Sequence, residues 1–237
     1  MQTTTQHDLE TGITTIQLAG ELNTSTLAIV RSTIGKAAAE CPTGVVADLA
    51  ALRSAHRRHV GVLAAATHQA QETWGVPVLW FAAEPQLRRD LRLFGTFTAI
   101  YDYQWQAVTA VRADVPRWIR HRLAPTPANA STARRLLGDA CRTWNLGHLR
   151  HDAQLIVAEL AANAITHAAT NFEITAGHAR CYLRISVRDG SPALPQRVQT
   201  PSTSGRGIRI VEALSTHWGA TSTPGGKIVW ALIRTER

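Results

Sequence analysis

Val157-Ala-Glu-Leu-Ala-Ala-Asn-Ala-Ile-Thr-His-Ala168 decides how this chain is read. The stretch is rich in strong helix formers and extends a helical pattern that begins at Asp152. Glu159, Asn163 and His167 recur every four residues. A helix places them along one face, about 6 Å apart per step. Leu160, Ala164 and Ala168 interleave with them and are expected to pack toward a sheet. Taken one at a time, an acid, an amide and an imidazole are ordinary solvated surface residues. Taken together they suit a magnesium-nucleotide site. An Asn offers Mg²⁺ a neutral oxygen and leaves the cation's charge for phosphates. A Glu one turn away can accept the proton of an attacking hydroxyl.

Two further segments lie downstream. Val187-Arg-Asp-Gly-Ser-Pro192 ends a β-type run that begins at Tyr182. By itself Asp-Gly after a strand is a turn signal. Its functional reading makes Asp189 a buried acceptor for an adenine amino group, with Gly190 letting the base approach the backbone. Gly205-Arg-Gly-Ile-Arg-Ile-Val-Glu-Ala-Leu214 follows a loop over 189–205 rich in Gly, Ser, Thr and Pro. Glycines ahead of a helix can aim backbone N–H groups at phosphates. The segment lacks the Gly-Lys-Ser/Thr ending of a Walker loop, and its spacing and position exclude a Rossmann fingerprint.

The elements around these segments predict a two-layer α/β sandwich. Ser131 caps a helix running to Trp144, and β-type runs cover Phe172–Ala176 and Tyr182–Val187. A helix from Gly207 to His217 precedes two closing strands joined at Gly225-Gly226.

In order and spacing, the three segments resemble the GHKL or Bergerat-type ATP-binding fold, and within it the anti-sigma-factor serine/threonine kinases. Glu-Leu-Ala-Ala-Asn-Ala-Ile-Thr-His-Ala is similar to that family's N box, and Arg-Asp-Gly-Ser-Pro to its first glycine box. Ser-Gly-Arg-Gly-Ile-Arg-Ile-Val, with His-Trp-Gly and Gly-Gly-Lys-Ile-Val-Trp-Ala, resembles its second box and closing hairpin. The resemblance implies ATP and Mg²⁺ as cofactors. It implies Glu159 as catalytic base, Asn163 on the metal, Asp189 on adenine, Gly190, Gly205 and Gly207 around the nucleotide, and Arg206 near the phosphates. One departure is expected to weaken the site. The family often has a Thr after the Gly-Gly-Lys, supporting the adenine-reading Asp, and Ile228 stands there. A histidine kinase fits less well, because no two-helix dimerisation segment with a phosphoacceptor histidine lies upstream.

The first half alternates strand and helix patterns. Ile13–Ala19, Val45–Leu49 and Val76–Ala82 read as strands. Leu27, Val30 and Ile34 share one helical face, Val60–Trp74 is an alanine-rich helix, and Pro85 opens another that runs through Phe94. This order implies a mostly parallel sheet covered by helices. Gly20-Glu-Leu-Asn-Thr and Val45-Val-Ala-Asp-Leu-Ala-Ala-Leu52 resemble the STAS domain, the fold of anti-sigma-factor antagonists. In that family a phosphorylated serine follows the Asp-Leu at a helix start. Here the matching segment is His56-Arg-Arg-His-Val60, so Arg57 takes the serine's place and His59 the glycine's, while Asn23 replaces a common Asp. The resemblance implies a STAS-like fold without its phosphoacceptor. Arg57 and Arg58 become a fixed positive patch where phosphorylation would have switched the charge.

The expected organisation is a STAS-like α/β domain over 1–113, a linker over 114–120 and an ATP-binding domain over 121–237. Prolines at 116, 125 and 127 motivate the linker. The whole chain of 237 residues carries a net charge of +8. Residues 1–114 hold 9 basic and 10 acidic side chains and residues 115–237 hold 16 and 7, so the excess lies in the second half. That half should attract an anion. Its basic residues read as scattered, without aromatic interleaving, so a nucleotide is expected and direct nucleic-acid binding is not. Only Lys36 and Lys227 of the 25 basic residues are lysines.

The longest apolar run, Gly75–Ala83, is nine residues. A membrane-spanning helix needs about 20, so no membrane partner is expected. The N-terminus has no signal-peptide pattern, and the cytoplasm is the expected location. Cys41, Cys141 and Cys181 have neither disulfide-framework nor zinc spacing and read as reduced packing residues.

The expected function is an ATP-binding regulator of a bacterial partner-switching pathway that controls a sigma factor. It would act as a serine/threonine kinase on a STAS-domain protein, with the fused first half docking or restraining the kinase half. The alternative is a non-catalytic anti-sigma or scaffold module that uses ATP structurally or not at all. The implied partners are a STAS-domain antagonist, a sigma factor, and a second copy of the chain, since the kinase branch commonly dimerises.

Overall fold

The structure is a computed structural model that describes residues 1–8, 11–40, 43–54, 56–94, 99–115, 117–179, 182–195 and 206–236. Cys41 and Cys181 therefore lie outside the described residues. The chain divides into two units, Met1–Pro116 and Arg117–Arg237.

In the first unit, Val45 and Ala47 are buried on one side of their strand and Val46 on the other. That pattern requires a sheet with both faces covered. The sheet contains β1 (Gln2–His7), β2 (Ile13–Leu22), β3 (Gly44–Asp48), β4 (Leu52–Ser54), β5 (Val78–Phe81) and β6 (Ile100–Tyr101). Its order is β1-β2-β3-β5-β6, with β4 paired to β2. Only the β1–β2 pair is antiparallel; the others are parallel. Helices α1 (Leu27–Glu40), α2 (Arg57–Trp74) and α3 (Pro85–Arg92) bury Ile34, Leu63 and Leu87 against one face. Helix α4 (Gln104–Asp114) covers the other with Ala107 and Val111.

β1 and α4 are additions to the elements read from the sequence. β1 is exposed along its whole length, so no apolar alternation betrays it. Its β-branched threonines pair from Gln2 opposite Ala19 to His7 opposite Thr14.

The second unit has a fully antiparallel sheet. Its strands are β7 (Arg117–Leu123), β8 (Phe172–Ala179), β9 (Tyr182–Asp189), β10 (His217–Thr223) and β11 (Gly226–Arg234), in the order β10-β11-β9-β8-β7. Helices α5 (Pro127–Thr143), α6 (Arg150–Asn163) and α7 (Arg206–Leu214) form the second layer. Leu137, Ile156, Leu160 and Val211 of that layer bury against Ile174, Ile185, Val187, Val229 and Ala231 of the sheet. This is the expected two-layer α/β sandwich.

Two local expectations are corrected. Residues 117–120, expected as linker, begin β7, an edge strand of the sheet. The prolines flank this strand at 116 and 125 and leave its own N–H groups intact, so pairing with β8 survives. Arg120 and Glu173 fasten the pair at 2.6 Å, and that hydrogen bond raises the pKa of Arg120. Helix α5 starts at Pro127, not after a Ser131 cap. Proline at the first helical position lacks only a donor that would have had no partner there.

Candidate functional site

The site is built on the seam between α6, the end of β9 and the start of α7. Glu159 and Asn163 lie one turn apart on α6, and both are half-buried. Neither side chain is drawn into a hydrogen bond or ion pair among the described residues. Their helix is anchored by Ile156, Val157 and Leu160 in the core. The four-residue line ends at Asn163. From Ala164 to Ala168 the helix widens into a π turn, Ala169 closes it with φ of 51°, and His167 is exposed. A π turn inserts a residue per turn, which rotates His167 off the Glu159–Asn163 line.

Helix α7 crosses this face at its first turn. A Cβ placed on Gly207 would lie 2.6 Å from Oε2 of Glu159. Gly207 is thus the residue that lets the start of α7 reach the Glu159 carboxylate. The first N–H groups of a helix have no partner within it, and its macrodipole favours negative charge at that end. Gly205 and the Arg206 side chain lie outside the described residues, as does 196–205 of the loop.

Asp189 is the last residue of β9 and is 5% exposed. It shares the phase of Leu183, Ile185 and Val187, so it faces the helical layer. Gly190 follows, and its N–H donates to the Thr170 hydroxyl at 2.9 Å. The N–H of Ser191 donates to Asp189 Oδ1 at 2.9 Å.

The β9–β11 register corrects the reading of Ile228. Ile228 pairs with Arg188, and it is Lys227 that stands opposite Asp189. Successive strand residues alternate faces, so the side chain beside Asp189 is the lysine. Its Nζ donates to Asp189 Oδ1 at 2.9 Å and to the Ser191 carbonyl at 3.3 Å. The pair is almost fully enclosed, with side chains 6% and 3% exposed. Gly226 precedes it, and a Cβ there would come within 1.8 Å of the Asp189 carbonyl oxygen. The Gly-Gly turn therefore permits a close strand approach that any side chain would block.

The structure thus brings Glu159, Asn163 and Gly207 together on one seam and places Asp189 and Gly190 at the end of the central strand. Lys227, Thr170 and Ser191 join Asp189 and Gly190 as residues the sequence motifs did not single out. A signal for Lys227 existed: it is one of two lysines among 25 basic residues. Thr170 carried none, because only the turn after α6 brings it to Gly190.

The donor set fits a magnesium nucleotide. No cluster of three or more His, Cys, Asp or Glu occurs among the described residues, so no all-protein metal cage is offered there. A single amide oxygen is the sparse ligation that Mg²⁺ accepts when phosphates and water complete its shell.

Outside this seam, Arg134, Arg135, Arg142 and Arg150 converge with Ser131, Asp139 and Gln154 around an open groove of about 520 Å³ between α5 and α6. Basic residues that look scattered in sequence are gathered here by the helix pair. Cys141, on the buried face of α5, has its thiol pushed up to about 11 by burial, with Arg150 pulling the other way.

In the first unit, Arg57 starts α2, as the sequence implied. His56 caps that helix, its Nδ1 accepting from the Arg58 N–H at 3.2 Å. Arg57 and Arg58 are exposed. The Ser54 hydroxyl donates to the His56 carbonyl at 3.1 Å.

Among the described residues no helix is long and apolar enough to cross a membrane. A comparison with curated proteins found no match. Several solved structures are similar to parts of the chain. The RsbU and RsbW domains of Rv1364c from Mycobacterium tuberculosis align at 20% identity with a TM-score of 0.41, over 49% of this chain and 32% of that one. An anti-sigma factor antagonist from Mycobacterium paratuberculosis aligns at 27% identity with a TM-score of 0.39, over 47% of this chain and 95% of that one. The Bacillus cell fate determinant SpoIIAA, in its phosphorylated form, aligns at 17% identity with a TM-score of 0.35, over 46% of this chain and 100% of that one. The chain spans about a third of the length of the first of these. Residues 123–233, which include every described residue of the seam, match the family described as a histidine kinase-like ATPase domain. The second unit of this chain therefore carries a GHKL-like ATPase domain, a type that implies nucleotide binding.

Proposed function

We propose that the second unit binds a magnesium-chelated nucleoside triphosphate and transfers its γ-phosphate to a serine or threonine of a separate STAS-domain protein. ATP is the triphosphate that the matched domain implies. The observation that carries the reading is the meeting of Glu159 with the glycine start of α7, one turn from Asn163. In this arrangement Asn163 offers its amide oxygen to the metal, and the first turn of α7 receives phosphate oxygens. Glu159 takes the proton of the incoming hydroxyl. The hydroxyl oxygen bonds to the γ-phosphorus, the bridging bond to the β-phosphate breaks, and the nucleoside diphosphate leaves. Bound Mg²⁺ supplies charge neutralisation of the phosphates.

The partner is proposed from the sequence. The first half resembles an antagonist domain whose phosphoacceptor is replaced by Arg57, so the acceptor serine belongs to another protein. A sigma factor is the further partner this pathway implies. The decisive experiment offers γ-labelled triphosphates and Mg²⁺ to the full chain with STAS proteins from the same genome. Label on a STAS serine, lost in Glu159→Gln while nucleotide binding persists, supports the reading. Tight nucleotide binding without transfer to any STAS protein favours the scaffold alternative, and absence of binding removes both.

A further inference from the structure

Helices α5 and α6 gather four guanidinium groups around the open groove of about 520 Å³. Arg134, Arg135 and Arg142 come from α5, and Arg150 is the first residue of α6. Asp139 is the one acid in the lining, and Arg142 engages it. Arg134, Arg135 and Arg150 have no ion pair among the described residues. Four cations against one anion leave the groove with a charge of +3.

The helix pair holds this arrangement against two local preferences. Gly138 is buried in the middle of α5, where glycine is a much weaker helix former than alanine. A Cβ there would lie 2.3 Å from Gln154 Nε2 and 3.3 Å from Arg150 Nε. The missing side chain lets Gln154 and Arg150 lie across α5, and Gln154 Nε2 is held there by donating to the Arg134 carbonyl at 3.0 Å. Arg150 opens α6, the end of a helix where the macrodipole disfavours a cation. Crowded like charges also repel one another. An anion held between the helices offsets these costs.

The lining defines the anion. A guanidinium presents its donors as a planar fork that meets phosphate oxygens two at a time. Arg134 and Arg142 are eight residues apart, about 12 Å of helix rise. A run of linked phosphates supplies both the charge and the length to serve both ends. Among the described residues that line the groove, none is apolar or aromatic. A protein partner would lack the buried apolar anchor on which such interfaces depend. A nucleobase would lack a ring to stack on.

We propose that the groove between α5 and α6 is a second anion site, apart from the seam of α6 with α7. Its ligand is a run of two or three linked phosphates. The source is either free inorganic polyphosphate or the phosphate chain of a nucleotide whose base stays in solvent. Arg134, Arg135 and Arg150 grip the chain from both helices, and Gly138 makes room for the Arg150 and Gln154 side chains.

Calorimetric titration of the full chain with sodium tripolyphosphate, ATP, sulfate and an oligoglutamate peptide tests this. All four are run at physiological salt in EDTA, which withholds the metal that the seam is proposed to use. Tripolyphosphate should bind at least about tenfold more tightly than sulfate or the peptide. ATP weaker than tripolyphosphate assigns the free chain as ligand, and ATP as tight or tighter assigns the nucleotide's; both support the proposal. Sulfate or the peptide binding as tightly as tripolyphosphate overturns it, the peptide in favour of an acidic protein partner. Arg134→Gln combined with Arg150→Gln, at two exposed positions, should weaken tripolyphosphate by at least about tenfold. Wild-type affinity in that double variant, shown folded by circular dichroism, overturns the proposal. Gly138→Ala keeps every charge and favours the helix, yet should also weaken binding by displacing Arg150 and Gln154; unchanged affinity there overturns it too. Should the double variant not fold, the wild-type ranking of the four ligands decides by itself.

Discussion

Gly226 and Lys227 show how much single residues decide at the end of β9. A Cβ on Gly226 would collide with backbone, which cannot swing aside. Gly226→Ala should therefore spread β11 from β9 and lower the thermal midpoint of the second unit by more than an exposed Gly→Ala change does. Lys227→Met leaves the Asp189 carboxylate buried without its cation. Removing one partner of such a pair costs about 3–5 kcal/mol. Asp189→Asn combined with Lys227→Met should recover most of that loss in chemical denaturation. A double mutant no more stable than Lys227→Met would mean that the pair is not coupled. Cys141 gives a pH prediction. Its thiol is raised from 9.0 to about 11 by burial, so the folded state holds the proton more tightly than the unfolded chain does. The resulting stability is full below pH 9.0 and is lost as pH rises toward about 11. Cys141→Ala should flatten the stability profile in that alkaline window.

At the scale of elements, the contact of α6 with α7 carries the chemistry. A Cβ on Gly207 meets the far end of the Glu159 side chain, which can move, unlike the backbone facing Gly226. Gly207→Ala should keep the fold and displace the Glu159 carboxylate. Phosphate transfer should fall toward that of Glu159→Gln, about 10²–10⁴-fold for loss of a general base. An unchanged transfer rate in a folded Gly207→Ala would remove Glu159 from the seam. Most elements were legible because their cores are periodic. Val45 to Ala47 alternates between two cores, and Ile156 and Leu160 repeat on the buried side of α6. The misses have local causes. β1 has no apolar face, and β7 lay between prolines that read as a linker but only border the strand. His167 fell off the motif line because a π turn is not written in a four-residue spacing.

At the scale of the molecule, each unit closes its own sheet and owns its own core. Residues 1–116 and 117–237 expressed separately should each unfold cooperatively in thermal melts followed by circular dichroism. Failure of either to do so would mean that the two cores are not autonomous. The sequence by itself determined the two α/β classes, the helix that carries Glu159 and Asn163, and the glycine start of α7, because periodicity and turn chemistry are local properties of a chain. It could not determine that Lys227, rather than Ile228, serves Asp189. The two residues are 38 positions apart, and strand register alone sets which neighbour shares a face. Register is a tertiary outcome, since shifting a strand by one residue turns each of its side chains to the opposite side. The same holds for the arginine groove between α5 and α6, whose charges converge only when the two helices pack.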